Sequence, residues 1–539
     1  MVDVNVQPFE VEVRTRHGDL VRADVYLPRG RPGPVPVLFA ASPYQKSLRR
    51  LPARPQFAFV EYGPMQLYLD EGYAYVAMDV PGTGRSEGIW DPVSRAEGEA
   101  IHDMIEHVAG LPWSTGRVGM IGMSYYCWSQ WNAARTRPPS LRCLGAFDGA
   151  TDMYRDWMYQ GGIPAQEFLN QWLFGSVLLQ HQAEGHPIAE KGRDRVIYDM
   201  YKHRFDDEWQ RRRSPFWELG QVDIPVLSIG SWGKASLHLR GNTEGFRLVR
   251  GPKQLLIVGA KTFAETLMLY GQEDFHRVEL LPWYDHHLKG VQNGVMERPK
   301  VRFVVQGEEK LHEAADWPPP DATVSEFFLS GATSDHGRSL NDGTLAGEAP
   351  VADVGSTGWS YPDPHWMAGV AVIEDGVPDH VARVVTYTSE PFGRDREFTG
   401  QGVLHLFASS DQADMDVMAK LSLLPEGKPS QKVSQGWLRA SHRSELAEIA
   451  TEMRPFHRHD RAEPITPGEV YELRIELTPM SFLVRKGQRL RLEISNWESA
   501  IAEAPMTHWY GQKVGTDTYH HTATRPSRLR LHERPRHHP

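Results

Sequence analysis

A chain of 539 residues is too long for a single hydrophobic core and divides into two or three domains. Forty per cent apolar residues, with 48 Gly and 39 Pro, exclude a fibrous or disordered protein, and a formal net charge of −10 argues against nucleic acid or an anionic membrane as the main partner. No apolar run reaches the length of a membrane span, the first residues lack a secretory signal, and Cys127 and Cys143 read as buried free thiols, so a cytoplasmic protein is expected.

Taken in chain order, "VEVRTRHGDLVRADVYLP" reads as a hairpin turning at "HGD". "VPVLFAAS" (35–42), "YAYVAMDV" (73–80) and "RVGMIGM" (117–123) are apolar runs bounded by turn residues, the signature of buried parallel strands. Between the last two lies a helical stretch with Ala100, Ile101, Met104, Ile105 and Val108 on one face. The alternation predicts an α/β sheet covered by helices over 1–148. Residues 149–222 are helical in pattern, rich in aromatics and free of strand signals, so they read as an insertion. Strands return with "DIPVLSIG" (223–230) and "KQLLIVG" (253–259), and a helix follows that ends at Gly290. From 301 to the end, short alternating segments between Gly/Pro-rich turns predict an antiparallel sandwich.

One motif carries chemistry. "GRVGMIGMSYYCWSQWNAA" (116–134) runs from a strand through Gly–x–Ser into a helix, with Ser124 at the turn. Such a turn lifts a serine hydroxyl above the carboxyl end of a parallel sheet, where the backbone N–H of Tyr125 can face an oxyanion. A small polar residue in a tight turn is the structural alternative.

The whole chain resembles the CocE/NonD-type hydrolases, the family of cocaine esterase, X-Pro dipeptidyl peptidases and α-amino-acid ester hydrolases. The resemblance runs through "SPYQKS" (42–47), "DVPGTGRSEGIW" (79–90), "LPWSTGRVGMIGMSYY" (111–126), "YDHHLKG" (284–290), "VVTYTSEPF" (384–392) and "VYELRIELTPMSFLVRKGQRLRLEISN" (470–496). It implies an α/β-hydrolase core over 1–148 and 223–300, a helical cap over 149–222 and a C-terminal jelly-roll domain over 301–539. It places the nucleophile on Ser124 and the oxyanion donors on the Tyr125 N–H and the Tyr44 hydroxyl. It also points to Trp157 and Trp172 as walls of an acyl pocket, and it implies chemistry without metal or organic cofactor.

The resemblance fails at the proton acceptors. Lys234 stands about where the family's Asp would be, and Thr262 or Phe263 where its His would be. His238, one turn past Lys234, reads as helix packing, and His276, His286 and His287 read as packing or surface residues. Lys234 is the first base candidate, because a lysine desolvated under a cap can lose its charge; Lys261 is a second, and His181 or His186 of the cap could bring in an imidazole. The expected function is a serine hydrolase that cleaves an ester or amide of a small, largely apolar or aromatic acid through an acyl-enzyme on Ser124. The rival is a non-hydrolytic member, or pseudoenzyme, that binds a small molecule at the same pocket. A small-molecule substrate, no nucleic acid and no membrane complete the expected partners, with a homo-oligomer left open.

Overall fold

The structure is a computed structural model and describes residues 5–46, 61–178, 193–361, 372–374, 377–379, 381–498, 507–508 and 514–536. Within these, the first sheet contains β1 (Phe9–Arg14), β2 (Leu20–Tyr26), β3 (Val35–Ser42), β4 (Ala74–Asp79), β5 (Ser114–Met123) and β6 (Leu141–Phe147), then β7 (Val226–Ser231), β8 (Lys253–Val258) and β9 (Val301–Val305). Their spatial order is β1–β2–β4–β3–β5–β6–β7–β8–β9. The β1–β2 and β2–β4 pairs are antiparallel, and every later pair is parallel. Strands β3, β4 and β7 are buried along their whole length, which is why they read as continuous apolar runs.

Helix α1 (Arg95–Ala109) crosses from β4 to β5. Ser94 caps it by accepting from the Glu97 N–H, and Ala100, Ile101, Met104, Ile105 and Val108 are buried as the pattern predicts. Each large side chain on that face contributes about 1.5–3 kcal/mol by leaving water. Helix α2 (Tyr125–Ala134) follows β5 and is buried throughout. Helices α3 (Arg240–Leu248) and α4 (Phe263–Tyr270) follow β7 and β8. A strand order of this kind, with a serine turn between β5 and α2, is the α/β-hydrolase fold.

The chain forms two compact units. The first holds 1–157, 170–203 and 207–303; the second holds 158–169, 204–206 and 304–539. Val301–Val305, at the start of the expected sandwich, pairs in parallel with β8, with Leu255 opposite Val301. Within the expected cap, 158–169 and 204–206 group with the second unit. Residues 158–169 include the short strands Tyr159–Gln160 and Ile163–Pro164, whose Ile163 clusters with Met418 and Trp437.

The second unit is a β domain, as the alternating segments predict. Its long strands Arg396–Ser410 and Tyr471–Val484 pair antiparallel, and Asp416–Leu424 pairs with Gln431–Arg439 and with Arg489–Ser495. Leu404, Leu406, Phe398, Tyr387, Leu492 and Phe482 lie in its buried core. Among the described residues, no helix is long and apolar enough to cross a membrane.

Candidate active site

Parallel strands deliver their following residues to one edge of the sheet. Tyr44 follows β3, Ser124 follows β5, Asp148 follows β6 and Lys234 follows β7. Ser124 sits in the turn with φ 63° and ψ −118°, a conformation unfavourable for any residue with a Cβ. Its N–H donates to the carbonyls of Phe147 and Asp148, and its own carbonyl accepts from Trp128, which holds the turn from both sides. Gly122 has φ 132°, and a Cβ there would meet the Tyr126 Cβ at 2.2 Å, so the glycine of Gly–x–Ser is required. Cys127, where the resembled family has glycine, is fully buried. The space it needs comes from Gly149, where a Cβ would lie 2.4 Å from the Cys127 Sγ. The cysteine is therefore a packing variant.

Tyr125 is the first residue of α2, so its N–H has no acceptor within the helix. Its hydroxyl is occupied elsewhere, accepting from the Val93 N–H at 3.1 Å and donating to Glu97 Oε2 at 2.8 Å. The Tyr44 hydroxyl accepts from the Trp172 indole N–H at 2.8 Å, which leaves its own proton free to be donated. The loop of Tyr44 is anchored by Lys46, whose N–H donates to Asp79 and whose ammonium pairs with Glu10 and Asp24.

Trp157 and Trp172 are brought together. Their rings meet edge to face at 4.9 Å; Trp172 also stacks on Tyr125 at 6.0 Å, and Trp157 meets Trp128 at 4.9 Å. Both are buried, Trp157 with 2% of its surface exposed and Trp172 with 7%. Ser124 is partly exposed. A cavity of about 710 Å³ shares Trp90 with this aromatic cluster, since Trp90 packs on Trp172, but Ser124 does not line it.

The proton acceptors are where sequence and structure part. His238, expected to be packing alone, is buried and also reaches the serine: its Nε2 lies 3.2 Å from Ser124 Oγ. It stands on a widened π-helical turn, Ala235–Leu239, directly after Lys234. Its Nδ1 is buried without a hydrogen-bond partner. Burial, and then the charge of Lys234, push the imidazole well below its ordinary value, so it is neutral.

Lys234 is fully buried, its ammonium 4.3 Å from the centre of the Phe263 ring and without a hydrogen-bond partner. Burial lowers it, while Glu61 and Asp148 raise it. Two carboxyls that the sequence reading missed complete the group. Asp148 accepts from the N–H and hydroxyl of Ser231 at 2.9 and 2.8 Å, and burial raises it to about 6. Glu61 is buried and raised by burial to about 7, with the charge of Lys234 opposing the rise.

The remaining lysine and histidines stand apart from this group. Lys261 is exposed, and Thr262 caps α4 by accepting from the Glu265 N–H. His276 is packed between the Tyr68 hydroxyl and the Tyr270 carbonyl. His181 and His186 lie outside the described residues.

Residues 17–262 match the X-Pro dipeptidyl-peptidase (S15) family, and residues 293–530 match the X-Pro dipeptidyl-peptidase C-terminal non-catalytic domain. Cocaine esterase of Rhodococcus sp. is 27% identical over 559 residues, covering 92% of each chain. The chain belongs to the CocE/NonD hydrolases. A CocE/NonD family hydrolase from Staphylococcus aureus has the same fold, with a TM-score of 0.82, 22% identity and coverage of 98% of this chain and 93% of that one. An α-amino acid ester hydrolase aligns with a TM-score of 0.73, 17% identity and coverage of 99% and 98%.

The loops after β7 and β8 pack against each other. Gly233 donates to the Ala260 carbonyl at 2.7 Å, and a Cβ on Gly233 would meet the Thr262 carbonyl at 2.3 Å. A signal for Asp148 was present, a carboxylate directly after an apolar strand at the active edge. Glu61 offered only a charge inside the apolar run "FAFVEYGPM".

Proposed function

We propose that this CocE/NonD hydrolase is a serine hydrolase that cleaves an ester or amide of a small, apolar or aromatic acid through an acyl-enzyme on Ser124. One observation carries the reading: a serine held at φ 63° in the strand-to-helix turn, its Oγ 3.2 Å from a buried, neutral imidazole. The Ser124 oxygen attacks the acyl carbon, its proton passes to a buried group beside it, and the tetrahedral oxyanion takes hydrogen bonds from the Tyr125 N–H and the Tyr44 hydroxyl. The leaving alcohol or amine departs with the proton, and water then repeats the sequence on the acyl-enzyme. Trp172, hydrogen-bonded to Tyr44, and Trp157, packed edge to face on Trp172, support an apolar or aromatic acyl group.

The test uses p-nitrophenyl acetate with wild type and Ser124→Ala, together with a fluorophosphonate probe read by peptide mass. Hydrolysis lost in the variant, and a label on Ser124 in the wild type, are expected. Equal turnover by both proteins would overturn the assignment of Ser124, and no turnover by either would favour a binding protein.

A further inference from the structure

We propose that Glu308, His312 and Glu397 of the second unit bind a divalent transition-metal ion of the Zn²⁺ type. The ion is structural: it clips the strand Lys310–Ala314, with the turn before it, to the long strand Arg396–Ser410. None of these residues belongs to the serine site, so the inference does not rest on the reading of Ser124.

One ligand atom of each of the three residues lies within 4.8 Å of the others. Glu308 stands in the turn, His312 in the middle of the strand that follows it, and Glu397 next to the start of the long strand. His312 Nε2 is 3.1 Å from Glu308 Oε2, and its Nδ1 is 3.9 Å from Glu397 Oε2. A neutral imidazole carries a single N–H, so one of its nitrogens presents a lone pair to a carboxylate oxygen. Such a meeting of acceptors calls for a cation. The 3.9 Å separation is too long for a hydrogen bond. Ligands that each bond a shared Zn²⁺ at about 2 Å stand about 3–4 Å apart, so a small closure of the three atoms around an ion satisfies all of them.

The outer oxygens of both carboxylates are held from outside the cluster. Arg536 donates to Glu308 Oε1 at 3.2 Å, and the Thr399 hydroxyl donates to Glu397 Oε1 at 3.0 Å. Thr399 in turn accepts from the Ser481 hydroxyl at 2.8 Å. Each carboxylate therefore turns one oxygen toward His312 and has the other fixed, the arrangement that orients metal ligands. Glu397 weighs most. Its side chain is only 4% exposed, and among the described residues its Oε2 has no hydrogen bond. A buried carboxylate oxygen without a partner is costly, and this one faces the cluster. The ligand types name the ion. An imidazole with two carboxylates suits Zn²⁺ and leaves a fourth position to water, whereas Ca²⁺ and Mg²⁺ favour oxygen ligands alone. The two carboxylates balance the two charges of the ion, while Arg536 stays on the outer oxygen of Glu308.

The experiment uses the full chain, stripped of metal with a chelator, dialysed and titrated with zinc chloride by isothermal calorimetry, with melting temperature followed alongside. Wild type takes up one Zn²⁺ per chain at this site and melts at a higher temperature with it. His312→Ala weakens that uptake by at least about 100-fold and loses the thermal shift. Thr399→Val, which only frees the outer oxygen of Glu397, weakens it by about tenfold. Glu308→Gln, at a partly exposed side chain, gives the same loss as His312→Ala and reads the site even where that variant does not fold. No saturable uptake by wild type, which leaves His312 and Glu308 as an ion pair alone, overturns the proposal. Uptake of equal affinity in His312→Ala and Glu308→Gln also overturns it, and marks adventitious binding by other histidines.

Discussion

The Tyr44–Trp172 hydrogen bond allows catalysis and stability to be separated in one pair of residues. Tyr44→Phe deletes a hydroxyl that serves as acceptor for the Trp172 N–H and as donor toward the oxyanion. Loss of one oxyanion donor costs about 2.7–4 kcal/mol in the transition state, or about 100- to 1,000-fold in kcat. The same deletion leaves an indole N–H buried at 7% exposure with no partner, which costs about 1–3 kcal/mol of stability. Trp172→Phe removes the orphaned donor while keeping an aromatic ring against Trp157 and Tyr125. The double variant is therefore less destabilised than the sum of the singles, by about 1 kcal/mol, and its activity remains as low as that of Tyr44→Phe. Urea unfolding gives the stabilities, and the hydrolysis of p-nitrophenyl acetate gives the rates. A Tyr44→Phe enzyme within a few-fold of wild type, or strictly additive stabilities, would refute the reasoning.

Ser124→Gly unfolds at higher urea than Ser124→Ala, by about 1–2 kcal/mol, because only glycine adopts φ 63° and ψ −118° without strain; equal stability of these two inactive variants would show that the turn holds no strain. Trp157→Ala lowers stability by about 3–5 kcal/mol, as expected for a nearly fully buried indole, and raises KM for a p-nitrophenyl benzoate more than for the acetate; an equal KM change for both esters would separate Trp157 from acyl recognition. Burial raises the Glu97 carboxyl from 4.5 to about 8, so the folded chain retains a proton that the unfolded chain has released, and stability falls as pH rises through that window. Glu97→Gln removes this titration and keeps an oxygen for the Tyr125 hydroxyl, so wild type loses melting temperature relative to the variant between about pH 5 and about pH 8; parallel curves would count against it.

What the sequence carries well is what depends on local pattern. Strand β3 spans the predicted 35–42, and the buried face of α1 is the predicted set, because burial on one side imposes a periodicity that a neighbour cannot disguise. The serine turn is legible for the same reason: Gly122 and Ser124 are dictated by the backbone within a few residues of each other. The surroundings of the serine are not local. Glu61, His238 and Ser124 come from three separated segments, and nothing in any one segment records the others. His238 was legible as packing because it is packed; its second role depends on the widened turn at Ala235–Leu239, which has no pattern of its own in "ASLHL". Lys234 and Thr262 or Phe263, which the resemblance sets about where an acid and a histidine would stand, are visible in the sequence. Their consequence is electrostatic. The charge of Lys234 disfavours the imidazolium form of His238 and favours the carboxylate form of Glu61.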